Sequence, residues 1–279
     1  MDHVGNQNRG LIVKNIANLY DVLIDNTKLS CKPRGKFRKD NITPLVGDYV
    51  KIDKDNKYIL EIEPRKNELK RPHCANVDVA IIVTSLKEPD LSLNLLDKTI
   101  CLIELNNIEP VIVFTKKDLL KEEEIKNIEV IFNYYESIGY KVFYNDCLDE
   151  IKNYLKNKTV VLTGQSGAGK SSLINKLGKY DIKTHAISKS LGRGVHTTRH
   201  VEIYKVEDIN FLDTPGFSSL DLSEYDKNDI KNSFIELRNN LCKFKDCMHD
   251  KETNCSVKKD VENKKILKSR YDNYISFIK

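Results

Sequence analysis

The segment Gly164-Gln165-Ser166-Gly167-Ala168-Gly169-Lys170-Ser171 fits the pattern G-x-x-x-x-G-K-[ST]. Its residue types suit the capture of a polyphosphate. Glycines let successive backbone N–H groups converge on the anion, and a following helix N-terminus adds positive potential. Lys170 can reach the β and γ phosphates and the Ser171 hydroxyl can ligate Mg²⁺, so Gly164 through Ser172 are the candidate nucleotide contacts. Asp213-Thr214-Pro215-Gly216 follows a second apolar run. There the Asp213 carboxylate can bind Mg²⁺ through water, and the Gly216 amide can approach the γ-phosphate. Between the two lies the polar stretch Gly192-Arg193-Gly194-Val195-His196-Thr197-Thr198-Arg199, which suits a switch loop whose threonine closes on Mg²⁺ and the γ-phosphate. Thr198 is the candidate for that contact.

A phosphate loop does not choose a base. Thr115-Lys116-Lys117-Asp118 is a variant of Asn-Lys-x-Asp. A carboxylate such as Asp118 accepts both N1–H and N2–H of guanine, whereas adenine offers neither donor there, and an unpaired carboxylate facing it is costly. The Lys116 stem can pack over the base. This base-reading segment precedes the phosphate loop in the chain, the reverse of the usual GTPase order. Loops at the carboxyl ends of parallel strands assemble one site whichever way the chain is cut and rejoined. The permutation also runs the segment after Gly216 directly into the C-terminal region, so switch motion can be passed on to it.

Cys242, Cys247, His249 and Cys255 are spaced C-x4-C-x-H-x5-C. Three thiolates and an imidazole suit tetrahedral Zn²⁺, with unligated cysteines as the alternative. Cys31, Cys74, Cys101 and Cys147 are scattered singly and read as small buried hydrophobes.

These loops need elements to hold them. Short β-type runs at 10–13, 19–24, 47–52 and 57–62 predict a small all-β barrel. From Val77 onward apolar strands at 77–84, 110–115, 141–144, 158–163, 201–206 and 209–212 alternate with helical periodicity near 91–106, 122–138 and 170–178, the signature of βαβ units. Helices near 226–240 and from about 258 onward close the chain. The expected fold is therefore multidomain. It comprises a β-barrel at 1–70, a central α/β P-loop domain with circular permutation at 71–224, and a helical zinc-binding module at 225–279. Length, 279 residues with 40% hydrophobic and 31% charged, agrees with several compact modules. No apolar run approaches the ~20 residues of a membrane span, and with no leader pattern the expectation is cytoplasmic. Each end carries a net +4 and the middle −3, which fits a nucleotide-handling core flanked by parts that approach a polyanion, or else simply a lysine-rich solvated surface.

Taken together, Thr115–Asp118, Gly164–Ser172, Gly192–Arg199, Asp213–Gly216 and the Cys242–Cys255 cluster resemble, in motif and in order, the RsgA/YjeQ family of circularly permuted GTPases that assist assembly of the bacterial small ribosomal subunit. The resemblance spans nearly the whole chain. It implies an oligonucleotide/oligosaccharide-binding (OB) barrel, GTP and GDP as ligands, one structural Zn²⁺ per chain, Mg²⁺ with the nucleotide and hydrolysis stimulated by the small subunit. It also implies a late-stage checkpoint role through rRNA binding, with the protein as a monomer. Lys32, Arg34, Lys36, Phe37, Arg38 and Lys39, expected in a barrel loop, suit phosphate contact and base stacking, with solvated charge as the alternative.

In many GTPases a glutamine after Asp-x-x-Gly orients the attacking water. Here that position is Phe217, and the resemblance assigns the role to His196. One position departs from the family: Asn145-Asp146-Cys147 stands where a guanine-supporting Ser-Ala turn is expected. An RNA-binding scaffold with incidental hydrolysis and a small-molecule kinase are the competing readings, and the second leaves Thr115–Asp118 without a task.

Overall fold

The structure, a computed structural model, describes residues 7–70, 73–178, 201–213, 221–238 and 242–279. Strands β1 (Gln7–Ile16), β2 (Leu19–Ile24) and β3 (Thr27–Pro33) form an antiparallel meander. Its turns place Ala17-Asn18 and Asp25-Asn26 at positive φ, the geometry of tight hairpins. Helix α1 (Gly35–Lys39) leads to β4 (Tyr49–Asp53) and β5 (Tyr58–Ile62). β5 pairs in parallel with β3 and antiparallel with β4, and β4 returns to β1 from Gln7↔Asp53 to Leu11↔Tyr49. The order 1-2-3-5-4-1 closes a five-stranded OB-like barrel, which leaves no free edge among these strands. Ile12, Val22, Cys31, Val50, Ile52 and Ile59 are each fully buried and fill it. A short hairpin, β6 (Glu68–Lys70) and β7 (His73–Ala75), follows.

Beyond it come β8 (Val79–Ser85), α2 (Leu93–Leu105), β9 (Glu109–Thr115), a 3₁₀ turn at Lys117–Leu119, α3 (Glu122–Ser137) and β10 (Lys141–Tyr144). Nearly every residue of β8 and β9 is buried, the pattern of strands covered on both faces. Ser92 caps α2 by accepting from the Leu95 amide. Three acids open α3, favourable at a helix N-terminus; one of them, Glu124, accepts from the Lys121 amide and pairs with Lys87 at 2.8 Å. Then follow α4 (Leu148–Leu155), β11 (Thr159–Thr163), α5 (Lys170–Leu177), β12 (Glu202–Val206) and β13 (Ile209–Asp213). The chain closes with α6 (Lys227–Asn232), α7 (Ile235–Arg238), α8 (Ser256–Glu262) and α9 (Lys268–Phe277).

The chain packs as two compact units. One comprises Met1–Val79, Leu148–Leu162 and Ser171–Ser218. In it the barrel joins β12 through β1, with Lys14 paired to Glu202 at 2.6 Å, and β13 lies antiparallel to β12 and parallel to β11. The other comprises Ala80–Cys147, Thr163–Lys170 and Ser219–Lys279. Its C-terminal helices pack on α2 around Cys101, Leu102, Phe234, Leu237, Val257 and Tyr274. Arg270, 1% exposed, pairs there with Asp97 at 2.7 Å and Glu236 at 2.6 Å. Removing either acid would leave a buried charge without its partner, which costs several kcal/mol in typical proteins.

The structure corrects several expectations. Strand β3 and helix α4 were not anticipated. The helix expected over 226–240 breaks at Ser233, whose hydroxyl bonds back to the Ile230 carbonyl at 2.7 Å. The helix expected from about 258 breaks between α8 and α9, where Lys264 takes positive φ. The basic stretch expected in a barrel loop is instead the end of β3 (Lys32-Pro33), Arg34 and helix α1. Phe37 is 7% exposed, because this short helix turns it into the core, so it is not a stacking platform. Lys32, Arg34, Lys36 and Lys39 are exposed, and the Arg38 side chain lies outside the described residues. Cys31, Cys74 and Cys101 are buried as expected, but Cys147 is only half-buried, in the turn after β10. Among the described residues no helix is long and apolar enough to cross a membrane.

Candidate nucleotide site and Cys3His centre

Residues 163–170 and the loops after β9 and β10 belong to one unit, so the phosphate loop and the base-reading turn can be described together. Gly164 adopts φ +134°, and a Cβ there would stand 2.0 Å from the Val83 carbonyl oxygen. No side chain fits, so glycine is required for the loop to lie this close to β8. Gly169 adopts φ +97°, a conformation that any L side chain strains. Lys170 is half-buried and donates to the carbonyls of Gly164 and Gln165 at 2.7 and 2.8 Å. Burial lowers its pKa, so an anion held beside it would favour the charged form. Gln165 is half-buried, Ser166 and Gly167 are exposed, and Ala168 is buried. Ser171 and Ser172 stand in the first turn of α5.

Thr115 replaces the asparagine of the usual motif with a hydroxyl that donates to the Ala168 carbonyl at 2.7 Å. This buried bond ties the end of β9 to the phosphate loop. Lys116 sits at φ 60° and donates to the Glu88 carbonyl. Lys117 lies with its ammonium 4.1 Å from the Tyr144 ring centroid. Asp118 is exposed in the 3₁₀ turn, and among the described residues nothing occupies its carboxylate. Asn145-Asp146-Cys147 forms a tight turn. The Asn145 amide donates to Phe114 and the Cys147 amide to Tyr144, so the segment replacing the Ser-Ala turn is anchored by backbone bonds to β9 and β10. In the other unit, Asp213 ends β13 and is 7% exposed. His196, Thr198, Gly216 and Phe217 lie outside the described residues, as does all of 192–199.

Cys242, Cys247, His249 and Cys255 converge, with their ligand atoms all within 4.8 Å of one another. The Cys255 sulfur lies 3.8 Å from that of Cys242 and 3.9 Å from that of Cys247. His249 Nδ1 lies 3.5, 3.4 and 3.3 Å from the three sulfurs. Tetrahedral Zn²⁺ with ordinary bond lengths sets S···S at about 3.8 Å and S···N at about 3.5 Å, so the cluster is compatible with structural zinc. Its surroundings fix the ligands. His249 takes φ 58°, the Tyr271 and Tyr274 hydroxyls donate to the His249 and Met248 carbonyls at 2.7 and 2.6 Å, and Glu252 accepts from the Met248 and Asp250 amides. Neither tyrosine was singled out in the sequence, although both recur at helical spacing on α9.

A five-stranded OB-like barrel, a P-loop sequence preceded in the chain by the Thr115–Asp118 turn, and a C-terminal Cys3His cluster define a circularly permuted GTPase, an enzyme that hydrolyses GTP. Family models described as RsgA GTPase and RsgA N-terminal domain match residues 62–223 and 9–59. The chain belongs to the RsgA GTPase family. It is 48% identical to "Small ribosomal subunit biogenesis GTPase RsgA 2" of Oceanobacillus iheyensis, over 96% of this chain and 96% of that protein. It is 46% identical to "Small ribosomal subunit biogenesis GTPase RsgA 1" of Listeria monocytogenes, again over 96% of each. The crystal structure of YloQ, described as a circularly permuted GTPase, superposes with a TM-score of 0.85 at 37% identity, covering 100% of this chain and 96% of that one. YjeQ from Thermotoga maritima superposes at 0.84 and 33% identity, covering 98% and 97%.

Proposed function

We propose that this GTPase acts in biogenesis of the small ribosomal subunit, as a late-stage checkpoint whose hydrolysis of GTP to GDP and phosphate is stimulated when it binds that subunit and its rRNA. The observation that carries the reading is similarity over 96% of the chain to proteins named as small ribosomal subunit biogenesis GTPases, joined to a phosphate loop and a base-reading turn tied together by Thr115 and Ala168. Three parts divide the work: a barrel at 1–70, the permuted GTPase at 71–224 and a zinc module at 225–279. The protein works in the cytoplasm as a monomer.

The residues take these roles. Thr115 through Asp118 hold guanine, with Asp118 as the acceptor, and Gly164 through Ser172 hold the phosphates together with Thr198 and Gly216. Ser171, Thr198 and Asp213 hold Mg²⁺, which offsets phosphate charge as it develops. Cys242, Cys247, His249 and Cys255 hold one Zn²⁺ per chain. The exposed cations Lys32, Arg34, Lys36 and Lys39 approach rRNA phosphates, and Arg38 follows from its sequence neighbours. Position 217 is phenylalanine, a side chain that cannot hydrogen-bond water. The family resemblance gives the role to His196, which orients the attacking water when rRNA or a ribosomal protein engages the segment that carries it.

His196→Ala should keep GTP affinity and lose most of the subunit-stimulated turnover, a fall of roughly 10²–10⁴ if the imidazole contributes as general acid–base groups commonly do. Single-turnover hydrolysis measured with and without small subunits checks this. Full stimulated activity in the variant would remove His196 from the reaction.

A further inference from the structure

The base-reading turn is a poor platform by its own backbone. Lys117–Leu119 is one isolated 3₁₀ turn, closed by Leu119 to Lys116 and Leu120 to Lys117 bonds, and such short turns hold little structure alone. What steadies it lies underneath. Tyr144, the last residue of β10, is the register partner of Phe114 on β9. Its ring stacks on Phe132 of α3 with centroids 4.8 Å apart and planes 16° off parallel, while Phe114 lies 6.3 and 6.4 Å from the two rings. On the ring of Tyr144 rests the Lys117 ammonium, 4.1 Å from the centroid, well inside the ~6 Å reach of a cation–π contact. Lys117 makes no ion pair or side-chain hydrogen bond among the described residues. The buried Tyr144 hydroxyl likewise has no partner among them. The contact therefore uses the face of the ring and not the phenol.

We propose that Lys117 and Tyr144 are positioning residues for guanine recognition: the ammonium clamps the turn onto the stacked ring and so aims the neighbouring Asp118 carboxylate at the base. Lys117 acts on the base through the turn that it anchors, and Tyr144 acts through Lys117. The inference rests on the reading of Asp118 as the guanine acceptor.

The test measures equilibrium binding of GDP and IDP to the full chain. IDP lacks the 2-amino group and takes only one of the two bonds to Asp118, so the GDP-to-IDP ratio reports how well the carboxylate is aimed. Tyr144→Leu and Lys117→Met should each weaken GDP binding about five- to tenfold, as loss of a partly desolvated cation–π contact implies, and should narrow the ratio. The double variant should be no worse than either alone, because both remove one interaction. Tyr144→Phe keeps the ring face and should stay within about twofold of the parent. Unchanged GDP binding in Lys117→Met, an equal loss of GDP and IDP, or a Tyr144→Phe variant as weak as Tyr144→Leu would each overturn the clamp. Lys117 is half-buried, in a turn outside the core, so its variant remains decisive even if Tyr144→Leu folds poorly. Asp118→Asn is run alongside. If that variant changes base preference while the clamp variants do not, the clamp fails and the guanine reading stands. If Asp118→Asn binds GDP unchanged, the reading fails and takes the clamp with it.

Discussion

Removing metal from the Cys242, Cys247, His249 and Cys255 centre, by a strong chelator or by Cys247→Ser, is expected to unfold the segment 242–279. Three of the four ligands are 3–4% exposed, and the loops between Cys242 and Cys255 that carry them have no helix or strand of their own. The local helix α8 has seven residues, too few to be stable in isolation. A structural Zn²⁺ contributes about 10–16 kcal/mol of apparent binding energy at neutral pH in small peptides, comparable to the whole stability of a typical domain. Without it, the Tyr271 and Tyr274 hydroxyls lose the fixed carbonyls they bond to. The loss should then spread through α9, because Arg270 on the same helix is buried against Asp97 and Glu236. Circular dichroism and limited proteolysis follow the unfolding, and metal analysis should find one equivalent of zinc released per chain. A metal-free protein that keeps its helix content and resists proteolysis would contradict the structural role.

Asp118→Asn is expected to abolish guanine preference and create a preference for xanthine. The carboxylate accepts two N–H bonds from guanine; an amide presents a donor where guanine also presents one. Xanthine carries a carbonyl at that position and restores the match. Two opposed donors, each left unsatisfied at a cost of about 1–3 kcal/mol, imply a loss of GDP affinity of roughly 10²–10³. Asp118 is exposed and no described side chain depends on it, so the variant should fold normally. Titration with GDP, XDP and ADP distinguishes the outcomes, and undiminished GDP affinity would refute the base assignment.

The chemistry of the site was more legible in the sequence than the frame beneath it. Gly164, Lys170 and Asp118 stand out as candidates because phosphate and guanine capture call for those residue types at those spacings, and the Cys3His set stands out by its spacing, its ligand atoms then converging within 4.8 Å. β8 and β9 were legible as long apolar runs. β3 was not, since Thr27-Lys28-Leu29-Ser30-Cys31-Lys32-Pro33 faces solvent on one side and carries little apolar signal. Local sequence also placed Phe37 on the surface among its cations; only a helix of five residues turned it into the barrel. The break at Ser233 likewise reflects packing, as that hydroxyl lies 3.0 Å from Cys101 of α2. The Lys117 to Tyr144 contact was invisible for the same reason: it joins the turn after β9 to the last residue of β10, and only the register Phe114↔Tyr144 brings them together.

The proposed function turns on whether the small ribosomal subunit drives GTP hydrolysis by this chain. The most direct measurement is GTP turnover by the purified protein alone, with small subunits and with large subunits, at equal concentrations. Slow hydrolysis alone, a rise of at least tenfold with small subunits, corresponding to about 1.4 kcal/mol of barrier lowering, and none with large subunits is the predicted result. Turnover that is indifferent to small subunits, or that responds equally to both, would contradict it.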